Sequence, residues 1–148
     1  MATVRDLLKL RTDKALWALT PNMTVLDALK EMAHYNVGAM PVLDNGKLMG
    51  VYSERDYTRN VVLDAAYADD TPLSKAMVRD VITVGLDETL ENCMRIMGEN
   101  HIRHLPVVDD GKLVGHFSIR DLMQWFLSQQ KEKIDHLENY IEGTGYGS

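Results

Sequence analysis

Apolar positions along this chain change period in a set order, and the order occurs twice. Trp17 to Leu19 is a short apolar run, after which Val25, Ala28, Leu29, Met32 and Ala33 recur at helical spacing behind Thr24. A hydroxyl residue just before such a run is a helix-capping signal. Val37 to Leu43 follows, apolar at its ends, and gives way to Asn45-Gly46 and then to Lys47 to Tyr52. An Asn-Gly pair between two apolar runs predicts a two-residue hairpin turn, whose central residues both need positive φ. A second helix is predicted to open at Ser53-Glu54-Arg55-Asp56. The same order then returns. Ile82 to Val84 is the short run, Thr89 precedes Leu90, Cys93, Met94 and Met97, and Ile102 to Val108 meets Asp110-Gly111. Lys112 to Phe117 is the return strand, and Ser118-Ile119-Arg120-Asp121 opens the last helix.

One offset, 65 residues, relates the two copies: with 18–57 laid on 83–122, 12 of the 40 positions are identical, and ten of those fall within 41–56. Chance would give about two or three. Two copies are too few for a solenoid, which stacks shorter units into longer arrays, so a pseudo-twofold pair is expected. The fold class is α/β (α+β), two β-α-β-β-α repeats plus a C-terminal helix. Val4 to Leu10 and Leu73 to Met77 are predicted as short helices leading into each copy, and the small, acidic stretch 64–72 as a linker. The organisation is therefore a first repeat at 1–63, a linker at 64–72, a second repeat at 73–127 and a helical extension with a frayed end at 128–148. From Leu122 to Gly143 one long or broken helix is expected, with Ile134, Leu137, Tyr140 and Ile141 on one face. That face needs cover, and a second subunit is the preferred occupant.

Composition narrows the function. With 148 residues, 45% hydrophobic and 26% charged, the chain can hold a real core and is neither disordered nor fibrous. Its 16 basic against 22 acidic residues give a net charge of −6, unfavourable to nonspecific contact with nucleic acid or an anionic membrane. The start carries charges instead of a signal-peptide core, and the apolar runs fall far short of the roughly 20 residues that span a bilayer. A cytoplasmic, non-membrane protein is expected. Its single cysteine, Cys93, cannot form an internal disulfide. No phosphate-binding glycine loop, nucleophile elbow or cysteine-histidine pair is present, so no catalytic residue is assigned. His34, His101, His104, His116 and Cys93 show no spacing of a structural zinc motif, and no metal is expected.

Ser53-x-x-Asp56 and Ser118-x-x-Asp121 are the sharpest chemical feature, and two readings stand side by side. In one they are capping boxes, the acid reaching back to the start of its own helix. In the other, a helix N-terminus with a hydroxyl meets phosphate or ribose, and an ionised, acceptor-only carboxylate accepts from the paired hydroxyls of a ribose. Arg55 and Arg120 between them either neutralise a phosphate or sit solvated.

The shared pattern Pro-Val-x-Asp-x-Gly-Lys-Leu-x-Gly-x-x-Ser-x-Arg-Asp, present twice in register, resembles tandem cystathionine-β-synthase (CBS) domains, which pair into a Bateman module. The resemblance covers residues 1–127. It implies a pseudo-twofold pair with two clefts that in many members bind adenosine-containing ligands, here AMP, ADP, ATP or NAD ahead of S-adenosylmethionine, and a regulatory role as a homodimer acting on a protein partner; the alternative is a structural or protein-interaction dimer without a nucleotide ligand. It implies that Asp56 and Asp121 hold ribose, with Ser53, Ser118, Arg55 and Arg120 near ribose or phosphate. Arg103 and His104 match basic positions that contact phosphate in nucleotide-binding members, in swapped order. Ala18 and Thr83 on the first strands, with Ala39, Met40 and Leu105 beside the prolines, would face adenine. Because Gly38-Ala39 stands where the second copy has Arg103-His104, the two clefts should differ, and phosphate-bearing ligands should be preferred.

Overall fold

The computed structural model describes residues 1–10, 17–64 and 68–141. Each repeat contributes a hairpin: β1 (Ala39–Asp44) with β2 (Lys47–Ser53), and β3 (His104–Asp109) with β4 (Lys112–Ser118). The turns are the expected ones, Asn45 and Gly46 at φ 51° and 83° and Asp110 and Gly111 at 52° and 76°. The four strands form one antiparallel sheet in the order β1-β2-β4-β3. Its centre is thin: β2 and β4 share the single pair Lys47–Lys112, with the Leu113 amide donating to the Gly46 carbonyl at 3.2 Å.

The helices are α1 (Val4–Lys9), α2 (Val25–Tyr35), α3 (Glu54–Asp64), α4 (Leu73–Ala76), α5 (Leu90–Asn100) and α6 (Ile119–Ile141). Thr24 caps α2 by accepting from the Asp27 amide at 3.1 Å, and Thr89 caps α5 from the Asn92 amide at 3.2 Å. Both helices stop at a left-handed residue, Asn36 and His101, which frees the chain to turn into the next strand. Ala28 and Cys93, 65 apart, are both fully buried, and burial, with Glu88 adding, pushes the Cys93 thiol up to about 12. No helix among the described residues is long and apolar enough to cross a membrane.

Two expectations are corrected. The first strands, Trp17 to Leu19 and Ile82 to Val84, reduce to single parallel bridges, Leu19 with Val42 and Val84 with Val107. The backbone turns away at once, the Met23 amide bonding Thr20 and the Glu88 amide bonding Gly85, and Pro21 has no N–H with which to extend a ladder. The lead-in helices also pack across the repeat boundary. Val4 and Leu7 of α1 sit in the second core with Val84, Leu90, Leu105, Phe117 and Leu122. Leu73 of α4 and Met77 just after it sit in the first core with Leu19, Val25, Met32 and Tyr52. Backbone bonds fix this exchange: the Val4 amide donates to Glu88 and Arg5 to Leu86, both at 2.9 Å, and Val25 donates to Thr71 at 2.9 Å. By packing, α1 therefore completes the second core, although it precedes the first repeat in the chain.

Candidate ligand-binding site

Strand register decides which side chains share a face. Ala39 pairs with Ser53 and Pro41 with Val51; in the second hairpin His104 pairs with Ser118 and Pro106 with His116. Ala39, Pro41, Val51 and Ser53 from one hairpin and His104, Pro106 and His116 from the other line a cavity of about 210 Å³. Ala39 and His104, Pro41 and Pro106, and Val51 and His116 are matched positions of the repeat, so the cavity straddles the axis relating the two halves. Met40, Asp56 and Ile102 add to its wall, and so do Val78, Asp80, Val81 and Ile82 from the segment after α4.

That segment is pinned from one side. Val51 and Val78 exchange both backbone hydrogen bonds at 2.9 Å, and they do so over Gly50, where a Cβ would come within 2.6 Å of the Val78 carbonyl oxygen. Only a residue without a side chain allows so close an approach. Gly115, the matched residue, is overlaid by the side chain of Leu8 of α1, 3.0 Å from where a Cβ would stand.

Asp56 closes one end of the cavity and is held by its own helix. Its Oδ2 accepts from the Ser53 amide at 3.0 Å and the Ser53 hydroxyl at 2.8 Å, while its amide donates to Ser53 Oγ at 3.1 Å. Ser118 and Asp121 repeat this arrangement at 2.8, 3.1 and 3.1 Å. Both capping boxes are thus formed. In the first, the box uses Oδ2 and leaves Oδ1 of Asp56 outside its bonds, so the carboxylate caps α3 and lines the cavity at once.

On the facing wall, burial lowers the pKa of His104 below the usual histidine value; Asp121 opposes the shift and Arg103 adds to it. The shift disfavours the charged imidazole, and His104 stands at the cavity as a hydrogen-bonding group.

Of the anticipated site residues, Ser53, Asp56, Ala39, Met40 and His104 meet at this cavity. Ser118 and Asp121 cap α6 and are not part of its wall. Arg55, Arg103 and Arg120 are exposed and also lie outside it. Leu105 is fully buried in the second core and does not line this cavity. Ala18 and Thr83 do not line the cavity either; Ile82, the neighbour of Thr83, does. The 78–82 segment and His116 had no motif to mark them. Register with β3 places His116, and the backbone exchange with Val51 places the segment.

The chain is 33% identical over 153 residues to the CBS domain-containing protein CBSX3, mitochondrial, of Arabidopsis thaliana, across 97% of this chain and 73% of that one. A solved protein with CBS domains from Burkholderia ambifaria superposes with a TM-score of 0.80 at 37% identity, over 87% of this chain and 96% of the other. The CBS domain pair of protein MJ0100, solved in complex with 5′-methylthioadenosine and S-adenosyl-L-methionine, matches at 25% identity and a TM-score of 0.73, over 86% and 98% of the two chains. The CBS domain family model matches twice, at residues 4–63 and 73–128. With two family matches and a cavity set between two repeats, this chain belongs to the CBS-domain family, as a tandem pair.

Proposed function

We propose that the chain is a regulatory module that binds an adenosine-containing small molecule in the cavity between its repeats and carries out no reaction on it. The observation that carries this is the meeting of a ribose-competent carboxylate, Asp56, with an apolar slot. Met40, Pro41, Ile82 and Pro106 provide apolar walls for a base, and Oδ1 of Asp56, which the capping box does not use, supplies an acceptor for a ribose diol. The ligand complex of the MJ0100 pair supports the adenosine class. AMP, ATP and NAD, expected from the sequence, are the alternatives within it. The module acts on a protein partner as a homodimer in the cytoplasm, with the exposed face of α6 as the subunit contact.

Titration calorimetry with adenosine on the wild type and on Asp56→Asn tests the reading. Asn retains an oxygen for the Ser53 cap but loses the charge, so folding should be nearly kept. Losing a charge-assisted hydrogen bond costs about 1.5–3 kcal/mol, and adenosine affinity should fall by roughly tenfold to over a hundredfold. Unchanged affinity in Asp56→Asn would remove the ribose assignment.

A further inference from the structure

The walls of this cavity hold no lysine or arginine among the described residues, and they hold two carboxylates, Asp56 and Asp80. A ligand carrying a phosphate would bring like charge towards both, in a site where water screens less than in bulk. The usual compensation, a helix N-terminus, is largely committed. The Ser53 and Asp56 amides are engaged within the capping box and the Glu54 amide donates to the Gly38 carbonyl at 3.0 Å, so the positive end of α3 faces its own carboxylate. Pro41 and Pro106 on the two walls have no N–H to offer. From these positions we infer that the cavity selects adenosine derivatives whose 5′ substituent is uncharged or cationic, such as a thioether or a sulfonium, and discriminates against 5′-phosphates. The lowered pKa of His104, caused chiefly by desolvation, agrees with this. The inference rests on the reading of the cavity as an adenosine site and reverses the phosphate preference that Arg55, Arg103 and Arg120 suggested in the sequence.

The test uses the full chain and four probes, adenosine, 5′-methylthioadenosine, S-adenosylmethionine and AMP, titrated at one low ionic strength. The quantity compared is the binding that Asp56→Asn weakens, which confines the readout to this cavity. In that component adenosine and its two sulfur derivatives should each bind at least about tenfold tighter than AMP. His104→Arg, which puts a cation on the wall, should move the ratio of AMP to adenosine affinity about tenfold towards AMP, and Asp80→Asn should move it the same way by a smaller factor. If the Asp56-dependent component prefers AMP, or favours neither class, the selectivity is wrong while the adenosine site stands. If none of the four probes shows an Asp56-dependent component, the adenosine site itself is wrong and the selectivity falls with it.

Discussion

His104 and Ala39 occupy the same place in their repeats, yet one brings an imidazole to the cavity and the other a methyl group. The difference has a consequence for stability that ligand binding does not complicate. Partial desolvation in the fold lowers the pKa of the imidazole, with Arg103 acting in the same direction and Asp121 against both, while the residue as a whole stays exposed. His116 and the cavity carboxylates Asp56 and Asp80 line the same space. A histidine whose folded pKa is depressed contributes fully above its ordinary value of 6.5 and loses that contribution as pH falls through the interval below it. Exposure of the ring to solvent keeps the effect modest. The wild type should therefore lose more of its urea midpoint between pH 7.5 and pH 5.5 than His104→Gln does. Equal losses in the two proteins would show that protonation of His104 is not opposed by the fold.

At the scale of elements, close approach of segments decides the shape of the site. Alanine at Gly50 would place its Cβ 2.6 Å from the Val78 carbonyl oxygen, a backbone atom that moves only with its whole segment. At Gly115 the added carbon meets the flexible end of Leu8 at 3.0 Å. Overpacking of the first kind typically costs about 1–3 kcal/mol. Gly50→Ala should be the more destabilising variant in denaturant titrations, and the only one of the two to weaken adenosine binding, because the displaced segment carries Asp80 and Ile82. The same two glycines show what the sequence could convey. Hairpin turns, capping boxes and helix ends depend on residues a few positions apart, and Asn45-Gly46, Ser53-x-x-Asp56 and Thr24 were readable for that reason. Asp56, Ser53, Ala39, Met40 and His104, which line the cavity, were readable as candidates because the repeat and the family pattern point to them. The exchange of α1 and α4 between cores, and the crossing of residues 78–82 over β2, depend on contacts between distant parts of the chain that no local pattern encodes. Leu105 stays outside the cavity for a related reason. Its repeat counterpart Met40 borders the cavity, but the two halves do not present equal faces to it. The direction of the His104 pKa shift was hidden too, since desolvation depends on the whole fold.

For the whole molecule the open matter is what covers α6. The helix has 23 residues, about 35 Å at 1.5 Å per residue. Its first turns are anchored, with Leu122, Trp125 and Phe126 packed into the second core. Beyond them it leaves the module: Ile134 is 54% exposed, Leu137 57% and Ile141 74%, all on one face. A projecting helical segment shorter than about 12–15 residues is marginal in water on its own propensity, and an apolar stripe along it adds a penalty that a partner would remove. A second copy supplies a matching stripe, since two such helices related by a twofold present the same residues to each other. Replacing Ile134, Leu137 and Ile141 together with glutamate should convert a dimer to a monomer in light scattering. It should also lower the helical circular dichroism signal, while the module's thermal transition and adenosine affinity remain close to wild type. A wild type that is monomeric at tens of micromolar, or a triple variant that stays dimeric, would assign this face to another partner.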